Sequence, residues 1–514
     1  MALVGAGPGH PGHITVRAVE WLRRADVVLH DRLVAPALID HAPASARRIC
    51  VEELGPCHAQ RLPLILDTMI DLARQGLCVV RLKGGDPMIF ARGGEEALAL
   101  REAGIPFEIV PGVTAALSAS ACAAIPLTHR LHSSAVAIIT GHEYPEKASS
   151  RLDWDALARF PGTLVFYMGI ARLEHLTASL MQHGKPGRTP AAVVERAGTS
   201  SQRTVTGALA DIAGRVREQD LHPPALLILG EVVSLRDTLR WFEDRPLFGK
   251  TVLVTRPRHQ AGEMVRRIEE LGGTGLVLPG VEIGPAPDPA RVDDAIARLA
   301  SFDWLVFTSG NGVSAFLDRL VKNGRDLRDL AGLQLAAIGP ATATALQRHH
   351  LRADLVPAVF NSESLAESLR SRVAGQRVLL ARADRGLDLL REELSRVASV
   401  EQVAVYSQRN ADGEDTGIVH QRIRDGELDA ITLTSSNIAR KILGDLDEAC
   451  RRRIESGQVG LISISPRTSA AAAEWGLPVA AEARHYTIDG VVEALCEWLR
   501  RRESDSMKSV ERQG

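Results

Sequence analysis

The residues best suited to ligand chemistry lie in the segment 80–95, VRLKGGDPMIFARGGE, where a β-branched run leads into a glycine-rich turn. Gly84 and Gly85 can adopt backbone conformations that let a ligand lie against bare amides and carbonyls. Asp86 adds a hydrogen-bond acceptor, and Pro87 fixes the direction in which the chain leaves. The segment predicts a ligand cradle at a strand's carboxyl end, although a plain strand-to-helix turn has the same pattern.

Two further segments repeat this arrangement of an apolar strand followed by a glycine turn. They are LVGAGPG at residues 3–9 and VPGVTAA at residues 110–116. Each precedes a helical pattern, as the first segment does. Three such turns in one block predict a single site lined by several loops.

A second set of polar strand ends recurs in the C-terminal half at a constant spacing. The segments starting at Gly249, Asp303 and Ile338 return 126 residues later, without a gap, at Gly375, Asp429 and Ile464. Each copy ends its strands in Arg, in Thr-Ser-x-Asn and in Pro-x-Thr. Hydroxyls and helix N-termini suit carboxylates, so two facing units predict a polar, arginine-lined cleft. The alternative for any one of these residues is a helix N-cap.

The elements that position these residues form an α/β pattern with a largely parallel sheet. A second lobe is predicted after Pro111, with strands over 134–140, 162–168, 190–195 and 225–229. A domain boundary is predicted within 243–250, where a proline and a glycine separate two patterned blocks. The residues from Arg501 to the end are polar and aperiodic, which predicts a disordered tail.

Composition narrows the class of protein. Of the 514 residues, 45% are apolar, and 61 lysines and arginines balance 63 acidic residues, so no global field favours nucleic acid or an anionic membrane. The six cysteines show no CxxC spacing, which favours a reduced, cytoplasmic compartment. Neither a secretory signal nor an 18-residue apolar run is present.

The first block resembles uroporphyrinogen-III C-methyltransferase of the tetrapyrrole methylase family. The matching segments include VGAGPG at 4–9, DRLV at 31–34, VRLKGGDP at 80–87, GGEE at 93–96, PGVT at 111–114, IPLTHR at 125–130, TGH at 140–142 and FYMG at 166–169. The resemblance implies two lobes, about 1–112 and 113–244. It also implies an S-adenosylmethionine site, methylation of uroporphyrinogen III at two pyrrole carbons to precorrin-2, and a homodimer.

The same resemblance implies functional residues. Asp31 matches the family's proposed base, although an N-cap or a partner for Arg32 are alternatives. The implied cofactor contacts are Pro8, Gly84, Gly85, Asp86, Ile89, Thr114, Ala115, Met168 and Ala197.

The sequence departs from the family pattern at several residues, which include Glu52, Glu53, His10, His13 and Leu62. Glu52 and Glu53 stand where the family carries Gly-Lys, so the lysine proposed as a proton donor is missing. His10 replaces the usual aspartate of the first turn. A glutamate beside an octa-anionic substrate weakens binding, which leaves a slow, altered or degenerate methyltransferase as an alternative.

The second block resembles uroporphyrinogen-III synthase through LVTRP, VFTSGNGV, AAIGPAT, VAVY, LTSSN and ISPRTSAAA. The resemblance implies two α/β lobes with parallel sheets, one formed by about 248–284 with 412–500 and the other by about 285–411. A two-stranded linker would leave the first lobe near Gly284 and return near Asn410. The implied reaction closes hydroxymethylbilane with loss of water and needs no metal or organic cofactor.

By motif match, Tyr406 would hydrogen-bond the leaving hydroxyl, although a strand tyrosine with a surface hydroxyl is the alternative. Arg256, Arg258, Arg382 and Arg385 are cleft candidates on charge grounds. The residues implied to hold acetate and propionate groups are Thr308, Ser309, Thr434, Ser435, Arg467 and Thr468.

The sequence therefore predicts a bifunctional cytoplasmic enzyme of tetrapyrrole biosynthesis with small-molecule partners only. Two alternatives remain. One is a working synthase fused to a degenerate methyltransferase, and the other makes the C-terminal block a non-catalytic tetrapyrrole-binding module.

Overall fold

A computed structural model describes residues 1–55, 58–141, 152–385, 388–410 and 415–511, without the side chains of 58–60, 410, 415 and 506–511. His142 of the TGH segment and Cys57 lie outside the described residues. The chain divides into two compact units, Met1–Lys250 with Ile268–Thr274, and Thr251–Arg267 with Gly275–Gly514. No described helix combines the length and apolar character needed to cross a membrane.

The first unit contains two five-stranded sheets. Its strands are β1 Ala2–Gly5, β2 Val27–His30, β3 Arg47–Cys50, β4 Val79–Lys83, β5 Glu108–Val110, β6 Val136–Thr140, β7 Thr163–Tyr167, β8 Pro190–Glu195, β9 Arg203–Ala208 and β10 Ala225–Leu229. Its helices are α1 Val16–Arg23, α2 Pro36–Ile39, α3 His58–Arg74, α4 Gly93–Glu102, α5 Ala115–Cys122, α6 Trp154–Arg159, α7 Leu173–Gln182, α8 Ile212–Glu218 and α9 Arg236–Leu239.

The two sheets of this unit differ in strand direction. The first has the order β3-β2-β4-β1-β5, and all its pairs are parallel. The second has the order β6-β7-β10-β8-β9, in which only the pair β6 and β7 is parallel. The sequence prediction missed β9, which pairs with β8 along an antiparallel register from Pro190↔Ala208 to Glu195↔Arg203.

The second unit is built from two more five-stranded sheets. Its strands are β11 Thr251–Val254, β12 Thr274–Val277, β13 Val281–Gly284, β14 Trp304–Phe307, β15 Gln334–Ala337, β16 Arg377–Ala383, β17 Ser399–Asn410, β18 Ala430–Leu433, β19 Gly460–Ser463 and β20 Val479–Glu482. Its helices are α10 Arg258–Glu270, α11 Pro289–Ala297, α12 Gly310–Lys322, α13 Pro340–Arg348, α14 Ser362–Arg370, α15 Leu389–Ser395, α16 Asp415–Asp425, α17 Ser436–Asp445, α18 Glu448–Glu455, α19 Pro466–Ala473 and α20 Ile488–Glu511.

The sequence repeat of this unit does not coincide with its lobes. One sheet has the order β12-β11-β18-β19-β20 and the other β13-β17-β16-β14-β15. Strands β11, β14 and β15 come from the first copy, and β16, β18 and β19 are their equivalents in the second. Each sheet therefore takes one of these strands from one copy and two from the other. The lobes are linked where β13 pairs antiparallel with the end of β17, from Val281↔Asn410 to Gly284↔Ser407.

The prediction of a disordered tail from Arg501 is wrong over the described backbone, because α20 continues to Glu511. Arg501 pairs with Glu497, one helical turn earlier, at 3.3 Å, which supports the helical conformation. The guanidinium of Arg502 donates to the carbonyl of Gln458 at 3.0 Å. Polarity without an apolar period therefore did not mean disorder here.

Candidate functional site

The three glycine turns meet at the carboxyl ends of β1, β4 and β5. The amide of Gly7 donates to the carbonyl of Gly85 at 3.1 Å, and the amide of Gly85 donates to the carbonyl of Gly7 at 2.8 Å. A Cβ on Gly112 would lie 2.2 Å from the carbonyl oxygen of Gly85, and one on Gly5 would lie 2.6 Å from the Cα of Gly112. Only glycine allows backbones to approach this closely.

Asp86 holds these loops together. One carboxylate oxygen accepts from the amide of Gly112 at 2.9 Å, and the other accepts from the amide of Met88 at 2.8 Å. The side chain thereby fixes the loop after β5 to the loop after β4. Its predicted contact with a cofactor stays a prediction.

The remaining predicted cofactor residues lie on loops around this centre. A Cβ on Gly9, next to Pro8, would lie 3.1 Å from Thr199 Cγ2, so the first loop approaches the loop that carries Ala197. Thr114 and Ala115 begin α5. Ile89 and Met168 expose 37% and 50% of their surface, which leaves apolar side chains available to a ligand.

Asp31, the predicted base, stands directly after β2 and is held by two donors. The guanidinium Nη2 of Arg81 lies 2.5 Å from Asp31 Oδ1, and the amide of Gly84 donates to Oδ2 at 3.0 Å. Its partner is thus Arg81 and not the neighbouring Arg32. The carboxylate remains 27% exposed, whereas the Arg81 side chain is 4% exposed.

Three charged residues beneath Asp31 form a buried network that sequence reasoning missed. Arg81 and Lys83 lie two residues apart in β4, and their side chains therefore share one face of the sheet. Glu96 of α4 accepts from Arg81 Nε at 3.2 Å and from Lys83 Nζ at 2.6 Å. Glu96 and Lys83 are 1% and 2% exposed. The available signal was the Arg-x-Lys alternation in an otherwise apolar strand, which requires a buried acidic partner.

These charges set the ionisation of Asp31. Burial alone raises the pKa of a carboxyl group, but the charges of Arg81 and Lys83 and the two hydrogen bonds outweigh it, so the pKa of Asp31 is lowered. Burial lowers the pKa of Lys83. The site therefore presents an anionic carboxylate at a strand end.

Two residues that depart from the family pattern have structural roles. Glu52 Oε2 accepts from the amide of Arg32 at 3.0 Å, which stabilises the loop that carries Asp31. His10 Nδ1 accepts from the amide of Gly12 at 3.0 Å, as an aspartate at a turn would. Glu53 is exposed.

The second unit contains a cavity of about 1150 Å³ at the carboxyl ends of its strands. Its lining includes the predicted residues Thr308, Arg382, Arg385, Thr434, Ser435, Arg467 and Thr468. The Ser435 hydroxyl also caps α17, where it accepts from the amide of Ile438 at 3.3 Å. The cap and ligand-site interpretations therefore describe the same residue.

Arg256, Arg258, Ser309 and Tyr406 lie outside the lining of this cavity. Ser309 caps α12, and its hydroxyl lies 3.0 Å from the phenol oxygen of Tyr406. Tyr406 is 3% exposed, so its hydroxyl is not at the surface. Arg256 Nη2 donates to Gln260 Oε1 at 3.2 Å, and burial lowers the pKa of Arg256.

The cavity also contains cationic residues that the sequence analysis did not select. Arg440 forms a two-pronged pair with Glu474, both contacts being 2.7 Å, and Lys441 pairs with Asp445 at 2.7 Å. Both cations line the cavity. They lie one helical turn after Asn437 of the Thr-Ser-Ser-Asn segment, and that spacing could have identified them.

Comparisons with known proteins agree with this division. Residues 1–213 match the family of tetrapyrrole (corrin/porphyrin) methylases, and residues 262–493 match uroporphyrinogen-III synthase HemD. The porphyrin biosynthesis protein HemD of Ruminiclostridium josui is 34% identical over 97% of both chains.

Two further relatives cover the first unit. A siroheme synthase of Pseudomonas putida is 50% identical over 47% of this chain and 52% of its own length, so this chain spans about half of that protein. One solved structure is that of uroporphyrin-III C-methyl transferase from Thermus thermophilus complexed with S-adenyl homocysteine. Its sequence is 40% identical, the TM-score is 0.39, and the match covers 46% of this chain and 93% of that one.

The fold and the comparisons define a tetrapyrrole methylase joined to a uroporphyrinogen-III synthase. This chain belongs to the family of the porphyrin biosynthesis protein HemD of Ruminiclostridium josui, and it contains one region that matches each of the two family models. Its membership confirms the predicted α/β fold class, the two enzyme classes and the use of S-adenosylmethionine by the methylase half.

The Asp31 network predicts a pH-dependent contribution to stability. Asp31→Asn is expected to lower the free energy of unfolding of the first unit by about 2 kcal/mol at pH 7, because it removes a charged acceptor from a buried guanidinium. The pKa of Asp31 is lowered on folding from an unfolded value of about 4, so its contribution is present above that pH and is lost as the pH falls through the folded-state pKa. Denaturant unfolding from pH 7 to pH 3 should show the difference shrinking.

Asp40→Asn is the matched control. Asp40 pairs with Arg48 at 2.9 Å, but the two side chains are 64% and 44% exposed, and such pairs contribute about 0–1 kcal/mol. A difference between wild type and Asp31→Asn that stays constant with pH would show that Asp31 is not held anionic by Arg81.

Proposed function

We propose that the C-terminal half closes hydroxymethylbilane to uroporphyrinogen III, and that the N-terminal half methylates this product at two pyrrole carbons with S-adenosylmethionine to give precorrin-2. Precorrin-2 belongs to the sirohaem and cobalamin branch of tetrapyrrole biosynthesis. The observation that carries the proposal is the cavity of about 1150 Å³, because Arg382, Arg385, Arg467 and hydroxyl-capped helix N-termini suit a large polycarboxylate.

In the synthase half, catalysis is mainly a matter of orientation. The bond from the terminal carbon to its hydroxyl breaks, water leaves, and the last pyrrole ring is joined in inverted orientation. The cationic cavity would hold the acetate and propionate groups so that the reacting carbons meet. Tyr406 stays the predicted partner of the departing hydroxyl, although its phenol is buried 3.0 Å from the Ser309 hydroxyl and lies outside the lining of the cavity.

In the methylase half, the sulfonium cofactor supplies a methyl group on a good leaving group. The chain has to hold the pyrrole carbon in line with that methyl group and to accept a proton from the ring system afterwards. Asp31 is the proposed acceptor. Its lowered pKa keeps it ionised, and a weak base is sufficient because the methylated, cationic ring system is strongly acidic.

A second candidate is an active synthase joined to an impaired methylase. The observation that favours it is Glu53, an exposed carboxylate at the position of the family lysine. Glu52 contributes a second carboxylate there, although its oxygen is engaged by the amide of Arg32. Both would repel the carboxylates of the substrate.

We also propose a cytoplasmic location and a homodimer formed through the methylase half. The cysteines within the described ranges, Cys50, Cys78, Cys122, Cys450 and Cys496, are free thiols, which suits a reducing compartment. Leu117 and Leu131 of the methylase half are 54% and 83% exposed, which supports an apolar contact there.

A coupled assay tests the proposed function. Hydroxymethylbilane is supplied to the full chain with and without S-adenosylmethionine, and the porphyrins and methylated products are separated. Type III isomer without the cofactor and precorrin-2 with it are expected. Type III isomer alone would favour the impaired methylase, and only the spontaneous type I isomer would reduce the C-terminal half to a binding module.

Glu53→Lys is expected to raise methylation of uroporphyrinogen III about tenfold, because the change replaces repulsion by attraction beside an anionic substrate. The measurement is the initial rate at subsaturating uroporphyrinogen III. Glu102→Lys, an exposed change at the end of α4, is the charge-matched control. An equal gain in both variants would assign the effect to overall charge, and no gain would mean that residue 53 does not face the substrate.

The homodimer predicts a sedimentation-equilibrium mass of twice the chain mass. Leu131→Glu should shift the protein toward the monomer, because a charge at an apolar contact is costly to bury. Val321→Glu, which is 62% exposed in the second unit, is the control. A monomeric wild-type protein would contradict the proposal.

A further inference from the structure

We propose that Tyr167 is a positioning residue of the methylase half, which orients the hydroxyl of Thr114 so that it donates to an oxygen of the bound cofactor. The inference rests on the proposed methylase function and adds to it a residue that is not among the cofactor contacts implied by the resemblance. Tyr167 is the last residue of β7 and precedes Met168. It is 9% exposed.

The phenol of Tyr167 ties the second sheet of the unit to a loop of the first. Its oxygen lies 2.6 Å from Thr114 Oγ1 and accepts from the amide of Ala116 at 2.7 Å. Thr114 and Ala116 lie at the start of α5, directly after the loop that follows β5. A side chain of β7 therefore fixes the first turn of α5, 51 and 53 residues away in sequence.

The positioning role depends on the direction of these two hydrogen bonds, of which one is fixed by its donor. The amide of Ala116 can only donate, so the phenol oxygen accepts from it. The 2.6 Å contact between Tyr167 and Thr114 Oγ1 allows either hydroxyl to donate, and we assign the single phenol hydrogen to this contact. Thr114 consequently keeps its own hydrogen as a donor. A carboxylate or a ribose oxygen of the cofactor is the class of acceptor that such a donor fits.

The backbone around Tyr167 supports a positioning role. Phe90, whose ring centroid lies 5.2 Å from that of Tyr167, has φ 53°, and Met168 has φ 54°. Non-glycine residues rarely adopt this left-handed conformation, and it persists where the surroundings hold it. The ring of Tyr167 packs against that of Phe90, and Met168 is the next residue in the chain. Tyr167 thus helps to hold two exposed apolar side chains, Phe90 and Met168, of which Met168 is a predicted cofactor contact.

The test is calorimetric titration of the full chain with S-adenosylhomocysteine. Tyr167→Phe keeps the ring and removes only the hydroxyl, and it is expected to raise the Kd about tenfold, as the loss of one positioned hydrogen bond does. Tyr486→Phe, at a residue that is 55% exposed, is the matched control and should bind like wild type. In turnover assays Tyr167→Phe should raise the KM for S-adenosylmethionine and leave kcat within about twofold.

Thr114 variants separate positioning from packing. Thr114→Val should raise the Kd about as much as Tyr167→Phe, Thr114→Ser should retain most of the affinity, and the double variant of Tyr167→Phe with Thr114→Val should bind no more weakly than the weaker single variant. If Tyr167→Phe fails to fold, as judged by circular dichroism, equal affinity of Thr114→Ser and Thr114→Val would overturn the proposal, because the hydroxyl that Tyr167 is proposed to orient would then not bind the cofactor.

The outcomes also distinguish this inference from the proposed function. Unchanged affinity in Tyr167→Phe, with a wild-type protein that binds, would overturn the role of Tyr167 and leave the methylase function standing. Additive losses in the double variant would equally overturn it, because the two hydroxyls would then act independently. A wild-type protein that does not bind S-adenosylhomocysteine would overturn both.

Discussion

The methylase half depends on one close backbone approach, the pair of hydrogen bonds between Gly7 and Gly85. Because neither residue has a side chain, the loops after β1 and β4 lie against each other, and Gly112 brings the loop after β5 into the same contact. The elements that carry chemistry are positioned by this contact. Asp86 closes the loops through two amides, and Gly84 reaches Asp31 because its turn is held in place.

The positions of these loops could be predicted from sequence, because each combines an apolar run with a glycine turn and parallel strands place their carboxyl ends at one edge. The contacts that give the site its chemistry could not. Arg81 binds Asp31 across 50 residues, and Thr114 meets Tyr167 across 53. Such pairs depend on which strands are neighbours and on side-chain rotamers, and neither is encoded in local spacing.

The repeat of the second unit shows the same division between local and non-local information. A constant offset identifies equivalent strands, such as β11 and β16, from the sequence alone. It does not reveal which strands are neighbours, because a strand can pair with strands of its own repeat copy or of the other copy, and the local sequence favours neither. In the structure β11 pairs with β18 and β16 pairs with β14, so each sheet mixes the copies. Because of this exchange, the chain passes between the two lobes twice, once at β13 and once after β17.

The two lobes are alike in framework and differ in chemistry, and this difference suits the proposed reaction. Ser309 and Ser435 occupy equivalent positions and cap equivalent helices. The equivalent of Tyr406 in the other lobe is Gly280, where a Cβ would lie 3.1 Å from Ile442 Cγ1, so a phenol could not be accommodated without rearrangement.

A linear tetrapyrrole presents four similar rings, of which only one is inverted. A fully symmetric clamp would bind such a chain in two equivalent directions. Gly280 and Ser435, the equivalents of Tyr406 and Ser309, do not form such a hydroxyl pair, so the two lobes differ chemically, and under the proposed function this difference would let the reaction be confined to one end.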